Sequence, residues 1–204
     1  MQTEKWLFIG DSITEAGRFE DVEGLGDNYV RMIRDQFAIR KTSPVPTFVN
    51  KGISGNRITD LANRWQEDVL DENPDLLSIS IGVNDVWRQL DQPGMDQVTP
   101  LRFESIYRDL LNQTVASTNA RIVLMEPTVI EEKRDSEGNI KLVDYVEIVQ
   151  KLATEYDCQL VRTHRAFLTY LENKRSLPLT TDGVHMTSTG NALMANTWLD
   201  TVFD

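Results

Sequence analysis

A chain of 204 residues, 40% hydrophobic and 26% charged, has the make-up of an ordinary globular protein, and residues 1–204 are read as one domain with a substantial core. A formal net charge of −11 opposes binding to nucleic acid or to an anionic membrane surface, without selecting a substrate. The lone cysteine, Cys158, excludes an intrachain disulfide and a cysteine-based metal cluster, and no apolar run approaches the ~18 residues of a membrane span.

The N-terminal stretch MQTEKWLFIGDS lacks the basic region, longer apolar region and small-residue cleavage site of a secretory signal, which points to a cytoplasmic protein. Residues 5–9 (KWLFI) form the first expected strand, apolar without alternation, as suits a strand covered on both faces. The strand breaks into Gly10-Asp11-Ser12-Ile13-Thr14, which either makes a turn and caps a helix or holds Ser12 out from the sheet. The acidic segment FEDVEGLGDN that follows has no assigned role. Tyr29, Val30, Ile33 and Phe37 share a helical stripe. Residues 47–50 form the second strand, followed by NKGISGN with Gly52 and Gly55, and then a stripe of Ile58, Leu61, Ala62, Trp65 and Val69. The third strand, 76–81, runs into IGVNDVWR.

A helix with Ile106, Leu110, Leu111 and Thr114 on one side precedes the fourth strand, 121–125. The polar stretch 128–141 is expected to be a solvated loop, with a mobile cleft wall as the alternative. Its DSEGN lacks the acidic spacing and distal glutamate of a calcium loop, so no metal site is read there. A stripe of Tyr145, Ile148, Val149 and Leu152 leads to Cys158, read as an ordinary small apolar residue, and to the fifth strand, 159–162. After the intervening AFLTYLENKRSLPLTT comes DGVH, then a last helix from Thr189 towards Phe203.

Strands alternating with helices imply an α/β fold with a parallel sheet, and right-handed crossovers favour a five-stranded flavodoxin-like order, 2-1-3-4-5. Ligands bind such sheets outside the carboxyl ends of the strands, where Ser12, Gly55, Asn84, Asp182 and His185 would gather. A serine hydroxyl needs a base, and histidine is the natural one near neutrality. His164 has no carboxylate at a favourable spacing and is read as structural. His185 follows Asp182 by three residues, so one loop can present both, the carboxylate orienting the imidazole. The plainer reading of His185 is a helix cap or a satisfied polar residue. Gly55 lets a carbonyl oxygen approach a backbone N–H, and Asn84 adds an uncharged amide donor; a turn glycine and a helix N-cap are their structural readings. Asp11 is expected to cap the following helix or brace the loop.

These four blocks resemble the SGNH hydrolase superfamily, the GDSL esterases and lipases, from residue 9 to residue 186 and in the family's order. The resemblance implies a flavodoxin-like three-layer α/β/α sandwich and ester hydrolysis without a cofactor. It makes Ser12 the nucleophile and first oxyanion donor, Gly55 and Asn84 the other donors, Asp182 the acid and His185 the base. The G-x-S-x-G elbow of α/β-hydrolases is absent. NKGISGN, RWQEDVL and IGVNDVWRQ are further similar to acetylxylan-esterase-like members, which deacetylate sugars. Met186 stands where many relatives have Pro or Leu, and Thr181 is small where a bulky platform would be expected; both bear on the pocket and not on the chemistry. Family members are often dimeric or larger, which implies a homo-oligomer.

The expected reaction proceeds through an acyl-enzyme, with an acid limb in its pH profile from the histidine. The charged 128–141 stretch does not suit a lipase lid, so a short-acyl carbohydrate esterase is preferred over a lysophospholipase or thioesterase. Trp87 and Arg88 are expected near the cleft as sugar contacts, with Trp87 equally suited to the core. A binding protein with a dead site is opposed by the complete residue set, and a nucleotide binder by the lack of either glycine-rich phosphate motif.

Overall fold

The computed structural model describes residues 3–40, 44–173 and 176–203. Its strands are β1 (Lys5–Gly10), β2 (Thr47–Gly52), β3 (Leu76–Ser80), β4 (Arg121–Met125) and β5 (Gln159–Val161). They form one parallel sheet in the order β2-β1-β3-β4-β5, the expected 2-1-3-4-5 arrangement. The helices are α1 (Ser12–Glu15), α2 (Tyr29–Arg40), α3 (Ile58–Trp65), α4 (Val83–Asp91), α5 (Pro100–Ser117), α6 (Glu137–Glu155), α7 (Thr163–Glu172) and α8 (Ser188–Phe203). A single π-helical turn, Gln66–Leu70, extends α3.

Helices α2 and α8 pack together on one side, while α3, α5 and α6 form a contiguous set. The alternation of a strand explains the division. Trp6 and Phe8 of β1 meet Phe37 of α2, Tyr29 at its start and Trp198 of α8, with ring centroids 5.1–6.3 Å apart. Two polar atoms buried with these layers are paired: Trp198 Nε1 donates to Ser78 Oγ at 3.1 Å, and Trp65 Nε1 to Thr114 Oγ1 at 3.2 Å. The Tyr29 N–H at the start of α2 is taken up by Asn191 Oδ1 from α8.

Register decides where the loops lie. Gly10 stands opposite both Gly52 and Ser80, Ser80 opposite Met125, and Met125 opposite Val161, so all five strands finish nearly flush. The turn after β1 then folds directly over the end of β2. A Cβ on Gly52 would lie 2.2 Å from the Glu15 nitrogen, a separation no side chain tolerates, so glycine is required for this close approach. The acidic segment now has a place: the amide of Asn50 donates to the carbonyls of Thr14 and Leu25, and Asn28 donates to the same two. Asp21 and Glu23 pair with Arg31, and Glu23 also with Arg34.

One expectation needs correction. The stretch 128–141 is not one solvated loop: Thr128, Val129 and Ile130 are buried, and from Glu137 the chain is already α6, capped by Ser136, whose Oγ accepts from the Asn139 N–H. The segment after β5, given no element in the sequence reading, begins with α7, whose Phe167 is fully buried and whose Leu168, Tyr170 and Leu171 pack against the core. Cys158 is partly buried at the α6–β5 junction, as expected, and burial raises its thiol to about 11.

Candidate active site

Ser12 opens α1 directly beyond β1. The preceding Asp11 caps that helix, its Oδ1 accepting from the Ile13 N–H at 3.0 Å. Burial pushes the Asp11 carboxyl up to about 6 although the Ile13 bond opposes it. Ser12 Oγ lies 2.9 Å from His185 Nε2, and His185 Nδ1 lies 2.6 Å from Asp182 Oδ2. A carboxylate can only accept at Nδ1, so Nδ1 carries the proton and Nε2 is left as the acceptor for the serine hydroxyl.

The loop 179–187 holds this pair tightly. Asp182 Oδ1 accepts from the N–H groups of Val184 and His185, at 3.0 and 2.8 Å. Its partial burial would raise the carboxyl, but the bonds from the His185 side chain and from both backbone N–H groups outweigh this and bring it down to about 2. The Thr181 N–H donates to the His185 carbonyl at 2.8 Å, and Thr180 bridges antiparallel to Met186.

Opposite lies the turn after β2. Asn84 is not the N-cap of α4; Gly82 is. Asn84 lies buried in the first turn, and its Nδ2 donates to the Asn56 carbonyl at 3.1 Å. Next to it, Asp85 is fully buried and receives the Ile58 N–H on both oxygens, at 3.0 and 3.3 Å. Two neighbouring side chains of α4 thus hold the segment that follows Gly55. Gly55 itself is exposed at φ +79, and the Ser54 hydroxyl beside it donates to Glu15 of α1 at 2.7 Å.

Asp85 occupies the same strand-end block as Asn84, and nothing local in IGVNDVWR marks it as buried. Burial raises its carboxyl to about 7, against the lowering effect of the Ile58 bond. Trp87 stands edge-on to His185, ring centroids 6.0 Å apart, and is partly buried against the core. Trp87 thus packs against the core and also lies beside the His185 ring. Arg88 lies over the Trp87 ring at 5.0 Å and pairs with Asp91, so its guanidinium is already engaged. His164, far from Ser12 in the bonding pattern, is buried with Nδ1 on the Thr128 carbonyl, a satisfied core histidine as read. Among the described residues no group of His, Cys, Asp and Glu is placed to hold a metal ion, and no helix is long and apolar enough to cross a membrane.

Residues 8–193 match the GDSL-like Lipase/Acylhydrolase family. An acetylxylan esterase of Geobacillus stearothermophilus is 37% identical over 203 residues, spanning 96% of this chain and 92% of the relative. Among solved structures, the acetylxylan esterase Axe2 from Geobacillus stearothermophilus superposes with a TM-score of 0.90 at 35% identity, covering 98% of this chain and 94% of that one. LAE5, described as an alpha/beta hydrolase enzyme from the metagenome of Lake Arreo, Spain, gives a TM-score of 0.90 at 32% identity, covering 97% and 94%. A family match over residues 8–193 and a relative 37% identical over nearly the whole chain lead to one assignment: the chain belongs to the GDSL-like lipase/acylhydrolase family and is a carboxylic ester hydrolase.

Proposed function

We propose that the protein removes acetyl groups from carbohydrate esters through an acyl-enzyme on Ser12. The observation that carries this reading is the unbroken chain from Ser12 Oγ to His185 Nε2 at 2.9 Å and from His185 Nδ1 to Asp182 Oδ2 at 2.6 Å. In this mechanism His185 takes the Ser12 proton as Oγ bonds to the ester carbon, and the carbonyl oxygen becomes an oxyanion. The N–H groups of Ser12 and Gly55 and the Asn84 amide receive that oxyanion. His185 then gives its proton to the sugar oxygen as its bond to the carbonyl carbon breaks, leaving Ser12 acetylated. Water, deprotonated by His185, attacks the acetyl carbon, and as the bond to Oγ breaks the proton on His185 passes to Ser12, releasing acetic acid.

Support for the substrate comes from two sources. The two Geobacillus stearothermophilus relatives are named acetylxylan esterases, and an indole stands beside the base, where an aromatic surface suits a sugar ring. The test is hydrolysis of chromogenic esters from acetyl to long acyl chains, then of acetylated xylo-oligosaccharides, by the protein and its Ser12→Ala variant. Ser12→Ala is expected to lower kcat by roughly 10⁴–10⁶-fold, with the parent protein preferring acetyl esters. Preference for long chains would move the substrate to a lysophospholipid or thioester, and undiminished activity in the variant would remove Ser12 as nucleophile.

A further inference from the structure

The connection from β4 to α6 grips the loop that carries Asp182 and His185, and we propose that Glu132 is a positioning residue for that pair. The inference rests on the catalytic roles proposed above. Glu132 Oε1 accepts three hydrogen bonds from the far loop: the Leu179 N–H at 2.8 Å, the Thr180 N–H at 2.6 Å and the Thr180 hydroxyl at 2.7 Å. One residue earlier, the Glu131 N–H donates to the Gly183 carbonyl at 2.7 Å, from a left-handed backbone at φ +66. The two grips fall on either side of Asp182.

The gripped loop is a narrow hairpin. The Thr187 N–H donates to the Leu179 carbonyl at 2.9 Å and the Thr181 N–H to the His185 carbonyl at 2.8 Å. Glu132 therefore holds the first strand of the hairpin at its base, and Glu131 holds its tip at Gly183, whose φ of +97 only glycine adopts readily. Without Glu132, the N–H groups of Leu179 and Thr180 would lose their acceptor. A charged acceptor makes each of these bonds stronger than a neutral one would.

The grip is itself anchored. Asn139, buried in the first turn of α6, accepts the Ile130 N–H at 2.9 Å and donates to the carbonyls of Glu131 and Lys133, at 3.1 and 2.8 Å. Ser136 Oγ donates to the Ile130 carbonyl at 2.7 Å. Hydrogen bonds from a packed helix thus fix the backbone on both sides of Glu132, at Glu131 and Lys133, while Glu131 and Glu132 bond the hairpin bearing acid and base. Glu132 makes no bond to Ser12, Asp182 or His185 side chains in this arrangement. It acts through the backbone that places them.

The test measures acetyl-ester kinetics for Glu132→Ala, Glu132→Gln, Asp182→Ala and the double variant E132A/D182A, with circular dichroism and melting temperature to establish folding. A misplacement of about 1 Å costs on the order of 10²-fold, so folded Glu132→Ala is expected to lose about 10–100-fold in kcat with KM held within about threefold. Glu132→Gln keeps an oxygen for the two N–H groups and is expected to recover most of that loss. In the Asp182→Ala background the same Glu132→Ala change is expected to cost less than about threefold, because the pair it serves is already broken.

A folded Glu132→Ala enzyme with wild-type kcat overturns the proposal, and so does an equal loss in both backgrounds. If Glu132→Ala does not fold, Glu132→Asp, one methylene short of the hairpin, decides by the same split. A fall in kcat at constant KM supports the role, and unchanged kcat overturns it. A fully active Ser12→Ala overturns the parent reading and this one with it. An active Glu132→Ala in an enzyme that Ser12→Ala silences overturns only the role of Glu132.

Discussion

Asn84 has already committed one amide hydrogen to the Asn56 carbonyl, so it has only the other to offer an oxyanion. Asn84→Ala is expected to lower kcat about 10²–10³-fold with a smaller change in KM, measured as initial rates on an acetyl ester. Its neighbour Asp85 makes a prediction about stability. Burial lifts this carboxyl from the ordinary 3.8 to about 7, so between those values the folded chain holds a proton that the unfolded chain has released. Stability from this group therefore falls as pH rises through that window and levels off above it. Asp85→Asn is expected to flatten the decline of melting temperature over the same range relative to the parent, and an identical slope would contradict the assignment. Asp182 behaves oppositely. With its carboxyl brought down to about 2, it stays charged across any working pH, so an acid limb in the rate profile does not report Asp182. Asp182→Asn is expected to cost about 10⁴-fold in kcat and to leave the folded chain intact by circular dichroism.

Among the elements, α1 is the most constrained. Its four residues sit where a Cβ on Gly52 would overlap the Glu15 backbone. Gly52→Ala is accordingly expected to destabilise by about 1–3 kcal/mol in urea unfolding and to lower kcat as well, since the same shift moves Ser12. The strands were legible because each is a short apolar run, and α2, α3, α5 and α6 because their apolar residues recur at helical spacing. What escaped is instructive. The start of α6 was hidden in EGNIK, where the buried residues are Gly138 and Asn139, neither of which looks apolar. Gly138 is small because Ile130 lies against it: a Cβ there would come within 2.4 Å of the Ile130 side chain. The helix α7 has Phe167 with Tyr170 and Leu171 at helical spacing, but only Phe167 is fully buried, and six residues of AFLTYL are too short a run to separate a helix from a strand.

At the scale of the molecule, the parallel sheet sets distances that no local pattern contains. Trp198, fully buried, packs against Trp6 and Phe8 and donates to Ser78, joining α8 to two central strands. Trp198→Ala is expected to cost about 3–5 kcal/mol of stability, read from the denaturant midpoint with an unchanged slope. Sequence alone determined the alternation of strand and helix and the order of the sheet, and it singled out Ser12, Gly55, Asn84, Asp182 and His185 as the candidate site. It could do so because apolar periodicity and strand-end chemistry are local properties. Only the tertiary structure decided that Asn84 lies inside its helix, that Asp85 is buried beside it, and that Glu131 and Glu132 reach the hairpin of Asp182 and His185. Those facts depend on which distant backbone groups are left without a partner when the chain packs, and a buried N–H must find an acceptor wherever the fold supplies one.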